Sequence, residues 1–173
     1  RRSSDLKVRI SYILVMLLTP HTLVGLAVAS VVKDPYIAFP VSIGMHYMGD
    51  LVPHWDFYSN TTESQRVSGW RPLAVSAELT LGVAVGTAFV LYALWLVNDP
   101  SLAFRMLICG IGGVIPDLLS GLTMYLKNLN GFLKINNEIQ AKLQFQAPLP
   151  WGIITQLVVS AFSVLVILSS TAR

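Results

Sequence analysis

Two of the three histidines and two of the nine acids of this 173-residue chain fall together in 44-GMHYMGDLVPHWDFY-58, a segment that is otherwise apolar. Imidazole and carboxylate groups together do two kinds of chemistry, cation binding and proton transfer. His46, Asp50 and His54 are separated by four residues, which on a helix stacks them on one face with neighbouring Cβ atoms within ~6 Å. An imidazole and a carboxylate one turn apart can hold one hard or borderline cation from the same side, as i, i+4 histidines do on zinc-binding helices. Pro53 interrupts the helical hydrogen bonding and re-aims His54 and Asp56. A structural alternative stands beside the metal reading, in which Asp50 orients His46 through a hydrogen bond.

The elements that must position these groups lie in a membrane. Hydrophobic residues make up 54% of the chain, charged residues 12%, and the mean hydropathy is +0.62, whereas soluble domains are roughly one-quarter charged. No Asp, Glu, Lys or Arg occurs between Arg9 and Lys33, or from Leu143 to Ala172, so both stretches reach the ~20 apolar residues of a bilayer span. Residues 73–97 and 101–126 are as long and carry Glu78, Arg105 and Asp117. We therefore expect an all-α bundle with five transmembrane segments, about 10–32, 35–55, 72–97, 101–126 and 150–171. The second is short and holds Pro40, so a re-entrant element competes with a span there. An interfacial helix is expected within 127–149, where Leu129, Phe132, Ile135 and Ile139 alternate with Asn, Lys and Gln, with a solvated loop as the alternative. Residues 1–15 read as a basic extension and the start of the first helix, and 16–173 as one transmembrane domain.

Charge placement gives an orientation. A cytoplasmic N-terminus puts Arg1, Arg2, Lys7, Arg9, Arg66, Arg71, Lys127, Lys134 and Lys142 inside and Lys33, Arg105 and Arg173 outside or near the outer side, as the positive-inside rule asks. The basic balance needs no nucleic acid as partner, and the lone Cys109 excludes a disulfide framework or a thiolate metal cluster. Asn60-Thr61-Thr62 matches a glycosylation acceptor.

Ionisable groups at membrane depth are costly and usually face a bundle interior. At ~1.5 Å per residue, His21, His46, Asp50, Glu78 and Asp117 lie roughly 7–16 Å from the cytoplasmic ends of their segments, close enough in depth to share one cavity. Each also has a structural reading. His21 can be a packing histidine, and Glu78 can sit near a helix start, where the macrodipole favours acids. Asp117, after Pro116, can cap a continuing half-helix. Gly82 and Gly86 suit close helix packing, within the chain or in a homo-oligomer or larger membrane complex.

The motif 46-HYMGD-50 with Pro53 and His54 resembles the H-Y-x-G-D…P-x-H helix of zinc-dependent phospholipases C and S1/P1 nucleases. That likeness implies metal-ligand roles for His46 and Asp50 and a weaker one for His54, because the Asp-to-His spacing is shorter here. The order 19-TPHTLVGLAVA-29, 46-HYMGDLVPHWD-56, 115-IPDLLSG-121 resembles small multi-spanning bacterial inner-membrane proteins described as metal-dependent hydrolases. It implies an inner-membrane location and a start at Met16. The H-R-x-x-T-H-S segment of larger members and a second H-x-x-x-E helix are missing, so three histidines limit the site to one metal, or two bridged by carboxylates.

The first functional expectation is a membrane-embedded hydrolase. His21, His46, Asp50, His54 and Asp117 would hold a divalent cation, zinc first, and Glu78 or Asp56 would supply the general base or a further ligand. Arg66 and Arg71 would hold a phosphate of a membrane lipid, the substrate being a phosphodiester or ester. The second is a non-catalytic accessory or assembly subunit. A proton or ion carrier lacks a visible inverted repeat, and haem held by His21 and His46 is a further alternative.

Overall fold

The computed structural model describes residues 17–57, 61–66, 68–123 and 131–172, without the side chains of Glu63, Arg66 and Thr123. The expectations that rest on Arg1, Arg2, Lys7, Arg9, Met16, Asn60, Lys127 and Arg173 fall outside these residues. The described chain is all-helical: α1 (Leu18–Val31), α2 (Pro35–Asp50), the single turn α3 (Glu63–Arg66), α4 (Arg71–Trp95), α5 (Pro100–Thr123), α6 (Gly131–Leu143) and α7 (Trp151–Thr171).

Local chemistry explains the boundaries. Asp34 accepts the Tyr36 amide at 2.9 Å, and Pro35 supplies a preset φ at the first turn of α2. Pro40 lies within α2 without ending it, whereas Pro53 disfavours helix in the residue before it, and α2 stops at Asp50. Asp99 caps α5 by accepting the Leu102 amide at 2.9 Å. Pro116 sits inside an unbroken α5, so Asp117 is an interior helical residue and not the cap of a second half-helix.

Three helices are long and apolar enough to cross a membrane: Arg71–Leu96, Pro100–Leu122 and Trp151–Thr171. Their outward residues agree with that. Leu73, Leu81 and Val83 on α4 and Leu157, Val158, Phe162 and Leu165 on α7 are each more than half exposed, an apolar surface too broad for a water-facing monomer. Three spans, not five, meet the length criterion among the described residues. Helix α1 covers 14 residues, starting at Leu18 after a non-helical Leu17 and not near residue 10, and α2 covers 16, about 21 and 24 Å at 1.5 Å each, against a hydrocarbon core of about 30 Å.

Helix α1 is the hub, packed against α2, α4, α5 and α7. It approaches α5 backbone to backbone: a Cβ on Gly25 would collide with the Cys109 carbonyl, and one on Gly113 would lie 2.5 Å from the His21 carbonyl oxygen. Leu26, Ala29, Ala93, Met106, Cys109 and Ile167 belong to the apolar core around this crossing. Gly82 and Gly86 face Thr19 and Thr22 of α1, so this pair serves packing within the chain. The start of α1, the end of α2, the start of α4, the end of α5 and the start of α7 share one end of the bundle, tied by Thr19 N to Glu78 Oε1 at 2.9 Å and Gln156 Nε2 to the Trp55 carbonyl at 2.7 Å.

Candidate metal centre

That shared end brings four polar side chains from three helices to one point. His21 comes from the first turn of α1, His46 and Asp50 from the last two turns of α2, and Asp117 from α5 just past Pro116. All four are at most 2% exposed. His21 Nε2 lies 3.3 Å from Asp50 Oδ1 and 4.0 Å from Asp117 Oδ2. His46 Nε2 lies 3.5 Å from Asp50 Oδ2 and 3.6 Å from Asp117 Oδ1. One ligand-type atom each from His21, His46 and Asp117 can be chosen so that all lie within 4.8 Å of one another. Asp50 joins with its two oxygens divided between the imidazoles.

Local backbone features make this approach possible. Gly49 leaves room for the His21 ring, whose Cε1 and Nδ1 would be 3.0 and 3.2 Å from a Cβ there. The two imidazoles stack with ring centroids 4.0 Å apart. Pro116 withholds the N–H that a helix would offer the carbonyl four residues earlier, loosening that turn. In the same turn the Gly113 carbonyl accepts His46 Nδ1–H at 2.8 Å. With the proton on Nδ1, the lone pair of His46 is on Nε2, turned toward the carboxylates. A backbone carbonyl behind the far ring nitrogen is the usual way a ligand histidine is oriented.

The distances discriminate between readings. Hydrogen bonds to oxygen cluster at 2.7–3.2 Å, whereas the histidine-carboxylate separations run from 3.3 to 4.0 Å and none has the geometry of a hydrogen bond. Two ligands at ~2.0–2.1 Å from a tetrahedral cation are about 3.3 Å apart. Buried polar atoms without partners demand explanation, and His21 Nδ1 and Nε2, both Asp50 oxygens and Asp117 Oδ2 have no hydrogen bond. Among the described residues, the ion pairs of Asp50 and Asp117 are with these two histidines. Two neutral imidazoles and two carboxylates would leave a buried double negative charge, which a divalent cation matches. The group could hold a metal ion.

His54 is fully buried, donates Nδ1–H to the Val52 carbonyl at 2.9 Å, and leaves Nε2 without a hydrogen bond. It is close enough to interact electrostatically with His21 and Asp50, yet stands outside the mutually close trio. Asp56 is also buried and accepts Gln146 Nε2 at 3.4 Å. Glu78 is committed to the Thr19 amide, so its carboxylate anchors the start of α1. Arg71 donates Nε–H to the Phe57 carbonyl at 3.1 Å and lies over the Trp70 ring at 5.2 Å. The Arg66 side chain lies outside the described residues.

Helix α6 supplies the residues that spacing within the histidine motif did not reveal. Its inward face is Leu133, Asn136 and Gln140, while Phe132, Ile135 and Ile139 face out. Gln140 Nε2 donates to His46 Nε2 at 3.1 Å and to Asp117 Oδ1 at 3.0 Å. Asn136 donates to the Pro116 carbonyl at 3.1 Å and accepts the Tyr47 hydroxyl at 2.8 Å. The sequence signal was an amide pair at i, i+4 on a helix with apolar residues beside it. Loop 50–55 and the segment after α6 close the end of the bundle through Phe145 N to the Asp50 carbonyl at 3.1 Å and Ala147 N to the His54 carbonyl at 2.8 Å.

Fold and site together define an all-helical membrane protein with a buried histidine-aspartate cluster. No family model matches the chain, and no curated protein or solved structure is significantly similar to it.

Proposed function

We propose that the protein is a membrane-embedded metal-dependent hydrolase acting on a lipid phosphodiester or ester at the cytoplasmic leaflet of an inner membrane. The observation that carries this reading is the set of four histidine-carboxylate separations between 3.3 and 4.0 Å, which suit ligand atoms around one cation better than hydrogen bonds. His21, His46, Asp50 and Asp117 are the ligands, and zinc is the first candidate for this mixed nitrogen and oxygen set. A cation held there supplies Lewis acidity toward a phosphoryl or acyl oxygen. His54 Nε2, with its lone pair unengaged, is the proton acceptor beside the cluster, and Asp56 is the further carboxylate.

The membrane frame of this proposal is five segments, with α1 and α2 completing the bundle, and α6 lying along the headgroups. Its exposed Phe132, Ile135 and Ile139 with Lys134 and Lys142 support the interfacial position. A cytoplasmic N-terminus and an outer C-terminus put Arg71 and the two α6 lysines on the side of the site. Arg71 would meet a lipid phosphate there.

A second reading, a non-catalytic accessory or assembly subunit, draws on the near-complete burial of the cluster, which suits a structural cation. One experiment separates the readings. The protein purified in detergent is loaded with Zn²⁺ and assayed for bound metal and for headgroup release from phospholipid vesicles, alongside His46→Ala and Asp50→Ala. Stoichiometric metal and chelator-sensitive release, both lost in the variants, are expected. Metal without release favours the accessory subunit, and a wild-type protein that takes up no metal overturns the cation site.

A further inference from the structure

We infer that Gln140 is a ligand of the cation, through Oε1 of a side-chain amide turned over by half a revolution about its last bond. The inference rests on the reading of His21, His46, Asp50 and Asp117 as a cation site and goes beyond it by adding a ligand from α6.

The hydrogen-bond geometry around the amide points to this. Both N–H groups of Gln140 are directed at atoms a cation would use, His46 Nε2 at 3.1 Å and Asp117 Oδ1 at 3.0 Å. A positive ion sharing those lone pairs repels the amide hydrogens and attracts the amide oxygen. The two ends of the amide have nearly the same size, so a half-turn exchanges them in place. After the exchange, Oε1 stands about 3 Å from two other ligand atoms. That spacing suits neighbouring ligand atoms on one cation, and Oε1 would bring the set of ligand residues to five.

The other end of the amide favours the exchange as well. Gln140 Oε1 makes a short contact with Ser120 Oγ, and Ser120 Oγ also lies 2.8 Å from Asn137 Oδ1. One hydroxyl hydrogen is thus set against two amide carbonyl oxygens. Asn136 Nδ2 donates to the same hydroxyl at 2.9 Å. With the amide turned over, Gln140 Nε2–H donates to Ser120 Oγ, whose own hydrogen then goes to Asn137. The hydroxyl then accepts from the two amides and donates to the third.

The consequence is a cation-responsive tie between α6 and the transmembrane helices. The full-length protein in detergent is stripped with a chelator and titrated with Co²⁺, whose visible absorption weakens as the coordination number rises. Wild type, Gln140→Leu and Gln140→Glu are compared, with metal-free thermal unfolding as a check of folding. Gln140→Leu is expected to bind Co²⁺ on the order of 10- to 100-fold more weakly and to give a more intense spectrum. Gln140→Glu keeps the oxygen and is expected to keep the wild-type intensity. Unchanged or tighter binding in Gln140→Leu, with an unchanged spectrum, overturns the inference and leaves the four-residue site standing. If Gln140→Leu does not fold, a spectrum of Gln140→Glu weaker than wild type overturns it, because the carboxylate would then be adding a ligand that glutamine did not supply. Wild-type protein that takes up no Co²⁺ overturns the site and the inference together.

Discussion

Glu78 shows how little a residue type says about its task. An acid in an apolar helix reads as a catalytic candidate, yet its carboxylate accepts the amide of Thr19, two residues before His21. It satisfies one of the orphan donors at the start of α1 and thereby holds His21 in place. Glu78→Ala should therefore cost about 0.5–2 kcal/mol of stability, while Glu78→Gln, which keeps an acceptor oxygen, should retain both the fold and metal uptake. Thermal unfolding and metal analysis of the two variants check this. Loss of lipid hydrolysis in Glu78→Gln with metal retained would return the residue to the chemistry. At this scale the histidines and aspartates of the cluster were legible in the chain, because buried charge is costly and leaves few alternatives. Gln140 was not, since an amide carries no such cost signal and is common on solvated helices.

Helices α1 and α5 meet because their glycines let two backbones touch, and His21 reaches the carboxylates only at that separation. A methyl at position 113 would lie 2.5 Å from the His21 carbonyl oxygen, whereas one at position 44 would meet nothing within 4 Å. Gly113→Ala should push α1 away, destabilise the protein by roughly 1–3 kcal/mol and weaken metal binding. Gly44→Ala should be neutral or stabilise by up to about 1 kcal/mol, since alanine suits a helix interior better. Unfolding and metal titration of the pair measure the difference, and equal behaviour would show that the close approach is unimportant. The existence of most of these helices was readable from unbroken apolar runs. Their ends were less so. Pro53 ends α2 at Asp50 while Pro40 is absorbed, and Pro116 loosens a turn without breaking α5, differences that depend on what surrounds each ring. For α6, the amphipathic pattern left an interfacial helix and a solvated loop both open, and a helix forms over Gly131–Leu143. Its amides turn inward because partners wait there, including the Pro116 carbonyl and Tyr47 hydroxyl.

On the scale of the whole molecule, the cluster occupies one end of the bundle, and the proposed orientation puts that end in the cytoplasm. Labelling tests it directly. With the buried Cys109 replaced by serine, single cysteines at Ser68→Cys and Lys134→Cys should react with a membrane-impermeant reagent only from the cytoplasmic side, and Lys33→Cys, in the turn between α1 and α2, only from the outer side. Labelling of Lys33→Cys and Lys134→Cys from the same side would overturn the topology. Composition and apolar runs by themselves pointed to a helical membrane protein with costly polar groups inside its apolar segments, because desolvation constrains every residue in a span whatever its neighbours. Only the tertiary structure decided that His21, His46, Asp50 and Asp117 share one point, that Glu78 anchors a helix start, and that Gln140 of α6 hydrogen-bonds to His46 and Asp117. Those outcomes depend on helix rotation and separation, which arise from glycine contacts and proline-loosened turns between residues far apart in the chain.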